Sequence, residues 1–251
     1  MNRAPVYSLV LFVALLLGWE LAARQMSELV LPAPSVVAAT LFDGIRTGYF
    51  WPHIVRTSLE VLLGLGLGSG LGLIVGILMG EIEFLRNLFF PYVVASQAVP
   101  KLALAPLFIL WFGFGMTSKV VITALICFFP LLENTVTAIQ YTDRNKLELF
   151  RVLGATRWQT LIHLKLPAGL PHIFAGFRVA VVLAVVGAVV GEFIGASEGL
   201  GAMIIASQGM MDTPLMFSVL LLLTLLGMAL YQIVHFFEKR LAKPYEKETR
   251  K

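Results

Sequence analysis

The chain has 251 residues, of which 58% are hydrophobic and only 14% charged, and its mean hydropathy is +0.86. A soluble domain carries about 25% charge and far less apolar surface, so that class is excluded and a polytopic membrane protein is implied. The formal net charge of +4 calls for no nucleic-acid partner, because Lys and Arg cluster in the manner that sets membrane orientation.

Apolar segments near the ~20 residues needed to cross hydrocarbon run over 6–23, 57–79, 89–112, 119–140, 173–195 and 214–237. The expected fold class is therefore all-α, a single domain over 1–251 with six transmembrane helices. Residues 1–23 also fit a cleaved signal peptide, with Arg3 ahead of an apolar run ending in LAAR. A retained span gives an even count and puts both basic regions on one side of the membrane. Those regions are Arg144, Lys146, Arg151, Arg157, Lys165 and Arg178, and a basic tail over 238–251 holding Lys239, Arg240, Lys243, Lys247, Arg250 and Lys251. The positive-inside bias places both regions, and both termini, in the cytoplasm. Segments 24–56, 113–118 and 196–213 then lie outside, with Arg24, Arg46 and Arg56 running against the bias.

In the external surface segment 24–56, Ser35 is placed to cap a helix whose apolar face is Val37, Ala38, Leu41, Phe42 and Ile45. Span two carries Gly64, Gly68, Gly72, Gly76 and Gly80 four apart on one helical stripe, the pattern of a close-packing seam between helices. A weaker version in span five joins Ala180, Ala184 and Ala188 with Gly187, Gly191 and Gly195. Glu20 and Glu60 fall near span ends and read as interfacial.

Span three holds Pro100 and Pro106 in its interior, each removing a backbone hydrogen bond, so it should be kinked or broken. Broken helices at membrane depth are tolerated where they face protein or a water-filled cavity, which makes this span, with Gln97, the candidate lining of a pathway. A charge at bilayer depth costs ~2.5–3.5 kcal/mol on insertion scales and needs a partner or a wet cavity. Lys101 follows Pro100, and Glu133 lies in span four at a depth that differs by about 6 Å, counting ~1.5 Å per residue. Two expectations follow: a Lys101–Glu133 pair, or a Lys101 that faces the pathway. Glu192, near the outer end of span five, precedes GASEGLGAMI, which reads either as a re-entrant turn gating the outer mouth or as a plain external connection.

The single Cys127 excludes an intramolecular disulfide and reads as a small core residue. His53, His163, His172 and His235 share no metal-ligand spacing, so no metal site is expected. No Ser/His/Asp or Cys/His constellation is present, and no GxxxxGK[ST] loop for phosphate, so ATP hydrolysis is not expected on this chain.

Between spans four and five lies ELFRVLGATRWQTLIHLKLPAGLP, residues 148–171. Leu149, Phe150 and Leu153 fall on one side, and Gly154 suits the left-handed position that closes a short helix. Thr156 with Gln159 three residues on is a capping-box pattern. Trp158, Leu161 and Ile162 then continue an apolar face, while Arg157 and Lys165 are expected to point to water. Pro167 should end this helix, and Pro171 suits the first turn of span five. The product is two short amphipathic helices at an angle, an element that lies on lipid or docks into another protein.

Glu148, Gly154 six residues on, and LKLP at 164–167 resemble the EAA loop of ATP-binding-cassette importer permeases, whose pattern is Glu-Ala-Ala, three residues, Gly, nine residues, Ile-x-Leu-Pro. Leu149 and Phe150 replace the alanines and Leu164 the isoleucine. LPAPSVV, VPKLALAPLFILWFGFGMTSKV, FFPLLENT, LGATRWQ, LPAGLPHIFAGFRVA and EFIGASEGLGAMI extend the resemblance over nearly the whole chain, to the nitrate, sulfonate and taurine branch, which includes carriers of pyrimidine-type vitamin precursors. The resemblance implies a homodimer in a bacterial plasma (inner) membrane, two cytoplasmic ATPase subunits that hold ATP and Mg2+, and an extracytoplasmic substrate-binding protein, with no cofactor on this chain.

It also implies that a coupling loop at about 145–167, with Glu148, Arg151, Gly154, Ala155, Thr156, Arg157, Trp158 and Pro167, seats in a cleft of each ATPase. Glu148 then pairs with a basic group there or with its own Arg151. Sulfonate, taurine, nitrate and a pyrimidine precursor all remain open as substrates. An ion-coupled transporter or channel without an ATPase is the alternative class. It would require paired polar residues in corresponding halves, and it would leave the Gly154 loop unexplained.

Overall fold

The computed structural model describes residues 4–242. Arg3 and the tail cations Lys243, Lys247, Arg250 and Lys251 lie outside the described residues. Helices α1 (Ala4–Ala23), α2 (Pro34–Arg46), α3 (Trp51–Glu81), α4 (Glu83–Gln97), α5 (Ala105–Phe112) and α6 (Met116–Gln140) are followed by α7 (Arg144–Val152), α8 (Arg157–Thr160), α9 (Leu166–Phe193), α10 (Leu200–Gly209) and α11 (Thr213–Leu241). No strand occurs among the described residues. The helices α1, α3, α6, α9 and α11 are each long and apolar enough to cross a membrane, α9 together with the helical turns before it, and the pair α4–α5, bent by 83°, makes a sixth, broken span.

α6 is the hub, with α3 on one side and α9 on the other. The glycine stripe of α3 makes the first contact possible: a methyl group at Gly68 would sit 2.2 Å from the Ala124 carbonyl oxygen, one at Gly72 2.6 Å from that of Phe128, one at Gly64 2.4 Å from Thr123 Cβ and one at Gly76 2.7 Å from Thr135 Cβ. Backbones this close gain dispersion contacts where lipid offers no hydrophobic drive for association. On the other side of α6, the fully buried Ala180, Ala184 and Ala188 of α9 pack with Cys127 and Leu131, and the Cys127 thiol donates to the Ala180 carbonyl at 3.3 Å.

A second core joins Phe50, α10 and α11, and α2 lies against α11, where the Ser218 hydroxyl donates to the Val37 carbonyl at 3.1 Å. Val37 is buried in this contact, but Phe42 and Ile45 of the same face stay exposed. Ser35 does not cap α2. The helix begins at Pro34 after Ala33, so Ser35 sits inside the first turn, and the acceptor comes from α1: Glu20 takes the Ser35 N–H at 3.2 Å and its hydroxyl at 3.0 Å. A carboxylate at a helix N-terminus satisfies an orphan donor and complements the dipole. Trp19 adds a bond to the Pro32 carbonyl at 3.1 Å and a ring contact to Phe217. The rest of α1 leaves its apolar surface exposed.

Proline placement explains two departures. The break in span three falls at Pro100, ahead of a 3-10 turn over Lys101–Leu104. Pro106 breaks nothing, because it lies in the first turn of α5, where a missing N–H is harmless. Pro167 does not end the helix that begins at Arg157 either. A π-type turn over Leu161–Lys165 shifts the carbonyls a proline ring would strike, so the chain runs as one helical unit from Arg157 to Phe193. Pro171 lies inside α9.

Candidate functional site

Where Pro100 breaks the span, a cavity of about 420 Å³ lies between this break, α6 and α9. Gln97 and Lys101 line it from the broken span, Phe129, Glu133 and Asn134 from α6, and Val179, Leu183 and Val186 from α9. Lys101 makes no direct ion pair with Glu133, although it lies close enough to feel its charge. Its ammonium lies over the Phe129 ring, 3.9 Å from the centroid, an arrangement favoured by the ring quadrupole, and the Gln97 side-chain amide donates to the Glu133 carboxylate instead. Asn134 donates to the Pro130 carbonyl at 2.8 Å. Of the sequence candidates, Gln97, Lys101 and Glu133 therefore come together. Pro100 shapes the break without lining the cavity, and Pro106 and Glu192 lie apart from it. Phe129 joins them without any mark in the sequence beyond its place four residues before Glu133, which puts both on one helical face.

Glu192 is 1% exposed and serves α10. Its carboxylate accepts the Gly201 N–H at 2.5 Å and the Thr57 hydroxyl at 2.6 Å; Thr57 in turn accepts the Leu200 N–H at 2.8 Å. His53 Nδ1 meets Gly199. The segment after α9 is thus a short helix sunk among α3, α9 and α11, with Leu200, Met203 and Ile204 buried. Beside it lies Glu60, which is buried in the bundle. It is 0% exposed, and one carboxylate oxygen takes both Lys119 Nζ at 3.0 Å and Arg56 Nε at 3.1 Å. The other oxygen has no hydrogen-bond partner among the described residues.

At the opposite end of the bundle, Asp143 caps α7 by accepting from Asn145 and Lys146. The helix closes with Gly154 at φ +74°: Gly154 N–H donates to Arg151 and Ala155 N–H to Phe150, the paired bonds of a Schellman motif. Thr156 and Gln159 bond reciprocally at 3.2 and 2.8 Å. The bend between α7 and α8 is therefore locked by backbone geometry, yet Leu149, Val152, Leu153 and Trp158 are exposed, Val152 at 85%. Glu148, Arg151 and Arg157 are exposed among them, with Ala155 half-buried at the bend. Lys165 does not point to water. It reaches Glu81 at the end of α3, 2.6 Å away, and Arg178 pairs with Glu238 of α11. No cluster of His, Cys, Asp and Glu fit for a metal ion occurs among the described residues.

Residues 68–243 match the family model described as "Binding-protein-dependent transport system inner membrane component". The chain is 39% identical to a riboflavin transport system permease protein of Chloroflexus aurantiacus, over 93% of this chain and 88% of that one. It is 37% identical to a formylaminopyrimidine transport permease protein of Halalkalibacterium halodurans, over 86% of each. Among solved structures, the methionine ABC transporter MetNI in inward-facing form superposes with a TM-score of 0.64 over 77% of this chain and 94% of that one, at 20% identity, a likeness of fold. The chain belongs to the family of inner membrane components of binding-protein-dependent transport systems, the permease subunits of ABC importers.

Proposed function

We propose that this permease works as a homodimer, that the α7–α8 pair of each copy docks into a cytoplasmic ATP-binding subunit, and that the cavity at the broken span lines the passage for a small solute delivered by an extracytoplasmic binding protein. The observation that carries this reading is the locked bend with its apolar residues turned outward. A helix pair held by a Schellman motif and a capping box is preorganised, which lowers the entropic cost of docking, and exposed Leu149, Val152, Leu153 and Trp158 are the kind of anchor a protein cleft receives. ATP and Mg2+ belong to the partner subunits, and both termini of this chain lie on their side of the membrane.

The route of the stroke follows from the helix that Pro167 does not break. A displacement of α8 passes through the π-type turn into α9, whose Val179, Leu183 and Val186 form one wall of the cavity, while the Lys165–Glu81 bridge carries it to α3. Relatives named for riboflavin, formylaminopyrimidine and aliphatic sulfonates support a small solute as the cargo.

The test is co-purification from native membrane of the wild type and Gly154→Pro, a substitution that φ +74° forbids. An ATP-binding subunit should accompany the wild type and be lost or uncoupled in the variant. A wild-type chain that purifies alone and moves solute without ATP overturns the reading.

A further inference from the structure

The cavity at the broken span has a composition that discriminates between solute classes. Its volume of about 420 Å³ lies at the lower end of the ~300–1,000 Å³ typical of small-molecule sites. Leu102, Ile126, Val179, Leu183 and Val186 make most of its wall apolar, and its lining holds one cation and one anion, Lys101 and Glu133. The two cancel, so the cavity has no net positive field to draw in an anion. Lys101 lies over the Phe129 face with N–H donors to spare, and Glu133, held by one hydrogen bond from Gln97, keeps acceptor capacity free, because a carboxylate has about four lone-pair sites.

We propose that this cavity takes an uncharged, amino-bearing heteroaromatic solute and turns away sulfonates and inorganic oxyanions. The inference rests on reading the cavity as part of the passage. An exocyclic amino group donates to the Glu133 carboxylate, the chemistry by which acidic side chains read the amino edge of cytosine. The ring nitrogens and carbonyl of such a solute accept from the Gln97 amide or the Lys101 ammonium, and its faces lie on Ile126 and Leu183. A sulfonate brings its negative charge beside Glu133 and offers it no donor, and like charges brought together repel.

Saturation-transfer NMR on the full chain in lipid nanodiscs, with cytosine and ethanesulfonate as probes, tests this directly. Cytosine should receive saturation in the wild type and ethanesulfonate should not. Glu133→Gln leaves the cavity at +1: cytosine binding should fall about tenfold and an ethanesulfonate signal should appear. Adding Lys101→Met to Glu133→Gln restores neutrality and should abolish the sulfonate signal again. Equal saturation of the two probes in the wild type, no saturation of cytosine, or cytosine binding indifferent to Glu133→Gln overturns the proposal. The two-probe comparison on the wild type decides even if a variant fails to fold. Co-purification of the ATP-binding subunit with the same preparations separates the claims: a chain that keeps its ATPase partner and binds ethanesulfonate overturns the solute class alone.

Discussion

Glu192 reaches from the end of α9 to the N-terminus of α10, where it accepts the Gly201 N–H at 2.5 Å, and through Thr57 it ties both helices to α3. Without that carboxylate the Gly201 donor is buried and unpaired, at a cost of about 1–3 kcal/mol. Glu192→Ala should therefore lower the thermal unfolding midpoint of the chain in nanodiscs, and Glu192→Gln, which keeps an acceptor, should lower it less. Thr57→Val breaks the same network, so the double variant Thr57→Val/Glu192→Ala should cost less than the sum of the single losses. Full additivity would mean that the two residues act independently.

The α3–α6 seam gives a prediction with an internal control. A methyl group at Gly68 meets the Ala124 carbonyl oxygen at 2.2 Å, whereas at Gly66 and Gly70 it meets nothing within 4 Å. Backbone atoms cannot swing aside as a side chain can, so Gly68→Ala should destabilise by about 1–3 kcal/mol, the usual range for overpacking. Gly66→Ala and Gly70→Ala should be neutral or slightly stabilising, since alanine is favoured over glycine in a helix by about 1 kcal/mol. Equal effects at all three positions in a thermal unfolding series would contradict the seam.

What the sequence showed of this structure depended on how local the signal was. A glycine every fourth residue is a property of one helix and can be read without knowing its neighbour. The break at Pro100, the left-handed Gly154 and the Thr156–Gln159 cap are likewise fixed by a few adjacent residues. Contacts across the bundle carry no such mark. Glu60 and Lys119 are 59 residues apart, and nothing in the sequence gives the rotation of α3 against α6 that turns Glu60 inward. Lys101 and Glu133 both stand out as charges at depth, yet nothing local marks that Lys101 lies over Phe129 while Glu133 takes Gln97. Pro167 misled because its effect depends on the π-type turn before it.

The Lys165–Glu81 bridge, with both side chains about one-fifth exposed, bears on coupling more than on stability. Partly solvated pairs contribute about 0–1 kcal/mol, so Lys165→Ala should leave the unfolding midpoint nearly unchanged. If the bridge carries motion of α8 to α3, the same variant in the assembled transporter should hydrolyse ATP with reduced solute uptake, and the swap Lys165→Glu/Glu81→Lys should recover part of the uptake. Uptake per ATP equal to wild type in Lys165→Ala would remove the bridge from the stroke.

Glu60 and Lys119 allow the sharpest energetic test. Both are almost wholly buried, and the Glu60 oxygen that Lys119 reaches also serves Arg56, which is itself partly exposed. Removing one partner of a buried pair leaves a charge without compensation and typically costs about 3–5 kcal/mol, whereas removing both for apolar groups of similar shape is often neutral. Lys119→Met should therefore be destabilising, but by less than that range, because Arg56 still faces Glu60. Glu60→Leu should be worse, since it removes the carboxylate that both Lys119 and Arg56 reach. The double variant Glu60→Leu/Lys119→Met should be more stable than either single variant, with unfolding in nanodiscs as the readout. If the double variant were the least stable of the three, the pair would be contributing net free energy to the fold, and desolvation would have been overestimated at this depth.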